Sequence, residues 1–406
     1  MNYSKQEVMQ FIEEEDVKFV RLAFCDVFGR QKNISIMYNE IARAFEHGIA
    51  IDASAIRGFG DETRSDLFLH PDPSTLVVLP WRPEHGRVVR MYCDITYPDG
   101  SPFVMDTRKI LKDAVMQAEK KGVRFRFGGE MEFYLFKLDE NGNRTAEPFD
   151  RAGYMDIAPA DKSENIRREI CLTLEQMGIA PESSHHEEGP GQNEIDFRYS
   201  SPLEAADNTM NFASAVQAIV SRSGVAADFS PKPIKNAPGN GFHINFSVTR
   251  QSDNDVLDFI IAGILNHIED MTVFLNPVKQ SYERLGSDKA PIYISWSKEN
   301  RSQLIRIPAA RGEYRRAELR SPDPAANPYL AFALIIYAGL DGLEKQKKLC
   351  KSADINFYTA SEETRAKYKM LPRSLADAAI KARTSGFIKN CLPKEIINAY
   401  CTDIDR

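Results

Sequence analysis

Cysteine is sparse in this sequence and follows no recognisable pattern. The 406 residues include six cysteines, and no two of them form a CxxC pair or a disulfide-scaffold spacing. Small secreted domains are rich in regularly spaced cysteines, whereas isolated cysteines are typical of reduced thiols inside the cell. We therefore expect a cytoplasmic protein without a disulfide framework.

Long apolar runs and basic runs are missing too. The longest nearly apolar stretch, residues 329–340, is shorter than the roughly 20 residues that a helix needs to cross a bilayer. The polar, acidic N-terminal residues 1–16 do not resemble a signal peptide. The net charge is −6 and Lys and Arg form no run, so nucleic acid is not an expected partner. The sequence predicts no membrane segment and a buried helix near residues 329–340.

The composition that remains is ordinary for a globular protein, with 43% hydrophobic and 27% charged residues. At about 100–200 residues per domain, the length predicts two domains. Turn-forming residues crowd positions 98–103 (PDGSPF), so we predict an N-terminal domain over 1–103 and a second domain over 104–406. Long alternating strands separated by helices, without regular βαβ units, indicate an α+β fold with an antiparallel sheet.

The most informative predicted strand is FRFGGEMEFYLF at 125–136. Glu130 and Glu132 are two residues apart, so on a strand both side chains point to the same face. Two adjacent glutamates in an otherwise apolar strand repel each other unless a cation lies between them. An exposed sheet edge would also explain the pair, so the pair alone does not establish a metal site.

Further acids and histidines lie in three later segments, HHEEGPGQNEIDF at 185–197, GNGFHINFS at 239–247 and RRAELRSPDP at 315–324. The candidate side chains are His185, His186, Glu187, Glu188, Glu194, His243 and Glu318. A lone histidine on a strand is more often structural, but several strands that each deliver an acid or imidazole favour a shared site. Oxygen-rich ligand sets with few nitrogens suit Mg²⁺ or Mn²⁺. Glu318 stands among arginines, as phosphoryl chemistry requires.

These four segments, in this order, resemble the bacterial type I glutamine synthetase family. The resemblance runs from about residue 18 to 390 and includes VRLAFCDVFGR at 20–30, IDASAIRGFG at 51–60, TRSDLFLHPDP at 63–73 and SPDPAANPYLAFA at 321–333. It implies a small N-terminal β-grasp domain followed by a large glutamine synthetase/guanidino kinase-like catalytic domain with an antiparallel sheet. It also implies a homo-oligomer, a six-membered ring with active sites between subunits, that joins L-glutamate to ammonia or an organic amine through γ-glutamyl phosphate.

Residue roles follow from the resemblance by position. A first Mg²⁺ or Mn²⁺ ion would be held by Glu132, Glu187 and Glu194, and a second by Glu130, His243 and Glu318. The residues implied to bind glutamate or line the ammonium pocket are Gly239, Gly241, Arg284, Arg320 and Tyr154. The residues implied to bind ATP are Glu182, Tyr199, Asn245, Ser247, Arg301, Arg306 and Arg316. Asp52, Arg301 and Arg320 would act in catalysis. Asp52 belongs to the N-terminal loop that would close the site of the neighbouring subunit, where it would help to bind ammonium.

The sequence departs from the family in the flap, residues 286–291 (GSDKAP). Lys289 stands where the family has a glutamate that takes a proton from bound ammonium, and Asp288 is a candidate replacement one position away. A lysine facing an ammonium ion costs roughly 1–4 kcal/mol at 4 Å, depending on the dielectric. On the ammonium-side loop, Ala55 replaces a serine and Ala53 a glycine. We therefore expect an acceptor other than plain ammonium, or poor use of ammonium; an organic amine, as in γ-glutamylpolyamine or γ-glutamylalkylamide synthetases, is the alternative.

Alternatives stay open at the level of the sequence. A catalytically silent relative with a structural or regulatory role would not need the ligand residues. A guanidino-kinase-type phosphotransferase is disfavoured by Arg284 and Arg320, which the resemblance assigns to glutamate. The resemblance implies a further C-terminal segment that locks two rings together and that this sequence does not show, so we do not expect a stacked double ring; a single ring and a smaller assembly stay open.

Overall fold

The computed structural model describes residues 3–60, 62–82, 85–250, 256–310, 312 and 315–402. Its N-terminal elements are α1 (Lys5–Glu14), β1 (Val17–Cys25), β2 (Gln31–Met37), α2 (Ile41–His47), β3 (Ile49–Asp52), β4 (Asp66–Pro71), β5 (Val77–Val78) and β6 (Arg87–Thr96). They form a first sheet in the order β2-β1-β6-β4-β3, with β5 also paired to β6. β1 and β6 are parallel, while β1 and β2 form an antiparallel pair.

The remaining elements begin with a helix, α3. They are α3 (Thr107–Lys120), β7 (Val123–Leu138), β8 (Arg144–Pro148), α4 (Glu164–Gln176), β9 (Pro181–His186), β10 (Gln192–Phe197), α5 (Pro202–Arg222), β11 (Val225–Asp228), β12 (Phe242–Arg250), α6 (Leu257–Leu275), α7 (Lys279–Arg284), β13 (Trp296–Lys298), β14 (Ile305–Ile307), β15 (Ala317–Leu319), α8 (Pro328–Glu344), α9 (Glu362–Arg365), α10 (Leu375–Thr384), α11 (Gly386–Cys391) and α12 (Lys394–Thr402).

A second sheet runs β13-β14-β15-β12-β7-β10-β9, with β8 and β11 also paired to β7. Its pairs are antiparallel except for β13 with β14. The predicted α+β fold with an antiparallel sheet is therefore confirmed. The long strand β7 lies between β12 and β10, so residues on either neighbour can meet residues of β7.

The predicted apolar helix at 329–340 lies in α8 and is buried along nearly its whole length. Phe332 stacks on Phe127 of β7 with ring centroids 4.4 Å apart, so the helix covers the face of the second sheet. Among the residues that the structure describes, no helix is long and apolar enough to cross a membrane.

A buried arginine links the N-terminal part of the chain to helix α5. Arg108 in α3 contacts Asp72 at 3.0 Å and Asp94 at 3.2 Å in the N-terminal part, and Asp207 in α5 at 3.0 Å. Because a buried guanidinium without its carboxylates would be strongly destabilising, these contacts fix the first sheet against α5. The boundary predicted at residue 103 stays a prediction.

Candidate active site

Acidic side chains from neighbouring strands meet on one face of the second sheet. Glu130 and Glu132 share a face of β7, as the period of two predicts. Glu194 on β10 lies opposite Glu132, and His243 on β12 lies opposite Glu130. Glu318 lies on β15, the next strand beyond β12. Strand register thus brings together residues that are nearly 190 positions apart in the chain.

The imidazole of His243 lies among these carboxylates. Its Nδ1 atom is 3.4 Å from Glu130 Oε2 and 3.8 Å from Glu318 Oε1, and its Nε2 atom is 3.9 Å from Glu132 Oε1. One candidate ligand atom from each of Glu130, Glu194 and His243 lies within 4.8 Å of the others. The predicted ligands therefore form a compact group, although which ion each would hold stays a prediction.

A second group extends the first toward the turn after β9. His185 Nε2 lies 2.9 Å from Glu187 Oε1 and 3.9 Å from Glu194 Oε1. Ligand atoms of these residues also lie within 4.8 Å of one another, so Glu194 belongs to both groups. The sequence named His185 as a candidate, but the resemblance did not assign it to a metal.

The pKa values in this group show the cost of packing negative charge. Burial and the charges of Asp196 and Glu132 raise the pKa of Glu194 well above its ordinary value. Burial and the charge of Glu130 raise the pKa of Asp196 to about 6. Burial alone would also raise the pKa of Glu130, but the hydrogen bond and charge of His243 outweigh it and lower this pKa to about 2.

This donor set fits a divalent cation. Carboxylate oxygens with one or two imidazole nitrogens are ligands that Mn²⁺ and Mg²⁺ accept. A cation bound among the acids would favour their ionised forms, which burial and mutual repulsion disfavour. The cluster therefore has the composition of a divalent-cation site, and the assignment of each predicted ligand stays a prediction.

Guanidinium groups lie beside these acids. Arg306 donates to Glu318 Oε2 at 2.7 Å, and Arg320 pairs with Glu318 Oε1. Arg316 Nε donates to Asn245 at 2.9 Å, and Asn245 in turn donates to Glu130 at 2.7 Å. Of the arginines predicted to bind phosphate, Arg306 thus contacts the acidic group directly, and Arg316 is linked to it through Asn245.

An open cleft of about 470 Å³ contains most of the predicted residues. Its lining includes Glu130, Glu132, Tyr154, Glu187, Glu194, Gly239, His243, Arg284, Arg301, Arg306, Arg316 and Arg320. Arg284 is only 2% exposed and donates to the backbone carbonyls of Ser321 at 2.7 Å and Arg320 at 3.3 Å. Its guanidinium is therefore held rigidly at the cleft wall.

Gly239 and Gly241 are needed to make room for this wall. A Cβ atom at Gly239 would come within 2.8 Å of Arg284 Cγ and within 2.5 Å of the Pro231 carbonyl oxygen. At Gly241 a Cβ atom would come within 2.6 Å of His243 Nε2. These glycines thus allow the close approach of two site side chains, a reason that the sequence alone did not supply.

Several predicted residues lie outside this cleft. Tyr199 and Ser247 flank Arg126, whose guanidinium lies 4.5 Å from the centre of the Tyr199 ring. Glu182 is exposed on β9, 3.8 Å from Arg198. Their assignment to ATP stays a prediction.

Asp52 also lies away from the cleft, in the N-terminal part of the chain. It ends β3, where its carboxylate accepts hydrogen bonds from Ser54 Oγ at 2.6 Å and from the Ser54 backbone at 2.9 Å. Its proposed action in a neighbouring subunit therefore stays a prediction.

The flap is tied down by a residue that sequence reasoning missed. Lys232 is buried, and its Nζ atom donates to Asp288 Oδ2 at 2.9 Å, to Ser287 Oγ at 3.1 Å and to the Ala237 carbonyl at 2.8 Å. Asp288, the candidate replacement for the family's flap glutamate, is therefore paired with Lys232. Lys289 instead pairs with Glu188, which follows the predicted ligand Glu187.

His186 has a supporting position. It is fully buried, with Nε2 2.8 Å from Asp150 Oδ1 and Nδ1 2.7 Å from the backbone carbonyl of Glu187. It thus braces the segment that carries Glu187 and does not line the cleft. Asp196 is the opposite case, because it lines the cleft but was not singled out. Its position two residues after Glu194 on a strand was the signal that could have found it.

Comparison with known proteins identifies the class that this fold and cleft define. Residues 16–98 match the model of the glutamine synthetase β-grasp domain, and residues 104–403 match that of the glutamine synthetase catalytic domain. The glutamine synthetase of Methanosarcina mazei is 42% identical over 412 residues, which cover 98% of this chain and 92% of that protein. The enzyme of Clostridium saccharobutylicum is 40% identical over 413 residues, covering 98% and 93%.

Solved structures agree with this class. A structure described as a GmaS/ADP complex superposes with a TM-score of 0.88 at 28% identity, covering 98% of this chain and 94% of that one. The cryo-EM structure of Plasmodium falciparum glutamine synthetase, at 23% identity and a TM-score of 0.87, shows likeness of fold.

The chain belongs to the glutamine synthetase family. It is a glutamine synthetase-type, ATP-dependent carbon–nitrogen ligase that uses Mg²⁺ or Mn²⁺. The predicted β-grasp and catalytic domains are confirmed by the family models. The same comparisons favour a ligase over a silent relative or a guanidino-kinase-type phosphotransferase.

Proposed function

We propose that this enzyme joins L-glutamate to a primary organic amine in preference to ammonium, forming a γ-glutamylamide through γ-glutamyl phosphate. The observation that carries this proposal is the composition of the flap. Lys289 stands where the resemblance places a glutamate that takes a proton from bound ammonium. Asp288 is the only acidic residue in GSDKAP, and it is held by Lys232. The flap therefore presents no free carboxylate to deprotonate a bound ammonium ion, which supports a changed acceptor.

The cleft's own residues suit the first half of this reaction. Arg320 and Arg284 would bind the carboxylate of glutamate, and Arg301, Arg306 and Arg316 would bind the phosphates of ATP. Fixed guanidinium groups of this kind offset the charge that develops during phosphoryl transfer. Since Arg284 and Arg320 are almost fully buried, they need little reorganisation when an anion binds.

Mg²⁺ or Mn²⁺, when bound, would supply electrostatic stabilisation of the phosphoryl group and orient the glutamate carboxylate. The proposed ligands are Glu130, Glu132, Glu187, Glu194, His243 and Glu318. His185 lies close enough to Glu187 to orient its carboxylate by a hydrogen bond. Such supporting contacts usually matter for metal affinity nearly as much as the ligands themselves.

The proposed assembly rests on the resemblance to the glutamine synthetase family. We propose a cytoplasmic homo-oligomer, with a six-membered ring as the simplest form, in which Asp52 acts in the cleft of the next subunit. Tyr199, Ser247 and Glu182 would lie along the nucleotide. The GmaS structure obtained with ADP, which superposes along nearly the whole chain, supports a nucleotide site in this fold.

Ammonium is the second candidate acceptor. The relatives that are 40–42% identical are named glutamine synthetase, and this favours ammonium by similarity. Tyr154, which the resemblance assigns to the ammonium pocket, is present and lines the cleft.

Phosphate release with glutamate, ATP, Mg²⁺ and a panel of amines separates the two acceptors. The proposal predicts a higher kcat/KM for at least one primary alkylamine than for ammonium. Omitting glutamate is the control, since ATP turnover must depend on it. A highest kcat/KM for ammonium would overturn the proposal and leave glutamine synthesis as the function.

A further inference from the structure

One ion pair joins the flap to the turn between β9 and β10. Lys289 on the flap contacts Glu188 on the turn, although the two residues are about 100 positions apart in the chain. We infer that Glu188 binds the ammonium group of the acceptor amine and that Lys289 occupies this place until the acceptor displaces it. This inference rests on the proposed function and names the residue that recognises the amine.

The contacts of the Lys289 side chain show what a primary alkylammonium group would meet between the flap and the β9–β10 turn. Its Nζ atom contacts Glu188 Oε1 and lies 5.8 Å from the centre of the Tyr154 ring. A carboxylate beside an aromatic face is a common way to bind an alkylammonium group. Since the end of a lysine side chain is itself a primary alkylammonium group, the acceptor and Lys289 would compete for the same partners.

Glu188 is also close to the reacting end of the cleft. Its backbone N–H donates to Glu187 Oε2 at 3.1 Å, so it directly adjoins a predicted metal ligand. Tyr154 packs edge-on against His185, with ring centroids 5.3 Å apart. An amine held between Glu188 and Tyr154 would therefore lie beside the acidic group where glutamate is to be activated.

The two lysines near the flap differ in how readily they can be displaced. Lys289 and Glu188 have side chains that are 56% and 36% exposed. Exposed pairs of this kind change an equilibrium constant by a factor of only about two to five. Lys232 is 5% exposed and has several acceptors, so its contact with Asp288 is a fixed anchor. The flap thus combines a fixed attachment with an exchangeable one.

The test compares Lys289→Met and Glu188→Gln with wild type, using n-propylamine as acceptor at saturating glutamate, ATP and Mg²⁺. Losing the competing ammonium in Lys289→Met lowers the KM for propylamine about three- to five-fold. Losing the carboxylate in Glu188→Gln raises it about ten-fold. The KM values for glutamate and ATP stay within about two-fold of wild type in both variants.

A matched ion pair elsewhere on the surface serves as the control. Lys137 and Glu147 form an exposed pair between β7 and β8, with side chains that are 44% and 59% exposed. Lys137→Met and Glu147→Gln should leave the KM for propylamine unchanged. Thermal unfolding of all four variants checks that they are folded.

Calorimetric titration of propylammonium into the enzyme with glutamate, ADP and Mg²⁺ gives a second readout that needs no turnover. Tighter binding by Lys289→Met and weaker binding by Glu188→Gln support the inference. Unchanged or weaker binding by Lys289→Met, or unchanged binding by Glu188→Gln, overturns it. If ammonium is the best acceptor of wild type, the proposed function fails, while the ratios between variant and wild type for propylamine still decide the role of Glu188.

Discussion

The two ends of the cleft are built differently. At the metal end, Glu318 is 1% exposed and Arg320 is 3% exposed, and both sit on or directly after a strand of the second sheet. At the acceptor end, Tyr154 is 48% exposed and Lys289 is also exposed, and both lie on loops. Rigid strands suit chemistry that must stay in place, whereas loops tolerate replacement.

This difference is consistent with a change in the flap, where the resemblance implies a departure from the family's pattern. The predicted phosphate and metal residues are coupled through Glu318. Its carboxylate pairs with Arg306 and Arg320, and it lies 3.8 Å from His243 Nδ1. A single replacement there would leave buried charges unpaired, which costs several kcal/mol. On the flap, an exposed residue such as Lys289 can change at little cost in stability. Acceptor specificity is therefore the property that such a chain can alter most readily.

The largest effect is expected at the metal end. Glu318→Gln removes the anion that balances Arg306 and Arg320, so glutamate-dependent ADP formation should fall by about 100-fold or more with every amine. The measurement is ADP release with saturating substrates. Glu169→Gln, an exposed change on α4, is the control. A loss confined to one amine would show that Glu318 belongs to acceptor recognition and would break the comparison.

Gly241→Ala should come second. The added methyl group would meet His243 Nε2 at 2.6 Å, so the imidazole must move. Displacing the imidazole should weaken Mn²⁺ binding by about 10- to 100-fold. Mutations that disturb the groups holding a metal ligand in place commonly have an effect of this size. Equilibrium dialysis with Mn²⁺ measures it. Affinity equal to wild type would mean that His243 is not a ligand.

Lys232→Met tests the acceptor end by removing the buried ammonium group that holds the flap. Without the ammonium group, Asp288 loses its partner and the flap loses its attachment to the loop at 231–241. We expect kcat/KM for the amine to fall about ten-fold. Mn²⁺ affinity should stay within about two-fold of wild type, because the ligand group lies on other elements. An equal loss in Mn²⁺ affinity would show that the two ends are not separable.

The smallest expected effect is a change in folding stability that depends on both pH and bound metal. The pKa values of Glu194 and Asp196 are raised, the latter to about 6, so the folded protein binds these protons more tightly than the unfolded chain. Stability without metal should therefore fall as pH rises from about 4 through 6, opposed in part by the lowered pKa of Glu130.

Bound Mn²⁺ should offset that loss. Adding Mn²⁺ should raise Tm by about 5 °C at about pH 7.5 and by less at about pH 5, where more of these carboxyls are protonated. Differential scanning calorimetry with Mn²⁺, and with EDTA as the control, measures the shift. A larger shift at the lower pH would contradict the placement of the metal among these acids.

Much of the metal end could be predicted from the sequence because its residues lie on strands. The period of two fixes which face Glu130 and Glu132 share, and short motifs fix the place of His243 and Glu318. The same rule would have given Asp196, two residues after Glu194, had it been applied there.

The acceptor end was harder to predict for a physical reason. Lys232 lies in the irregular segment PKPIKNAPGN, where no periodicity says which way a side chain points. Its contact with Asp288 depends on packing between segments about 56 positions apart. The resemblance marked Lys289 as a departure from the family's flap, but only the fold showed that Glu188 is its partner.

Direct competition between amines tests the central claim most directly. Wild-type enzyme is given equal concentrations of ammonium and a primary alkylamine with glutamate, ATP and Mg²⁺, and the products are counted by mass spectrometry. The product ratio equals the ratio of the two kcat/KM values. If phosphoryl transfer is retained and the acceptor end is changed, γ-glutamylalkylamide should be in excess over glutamine. An excess of glutamine would contradict this account.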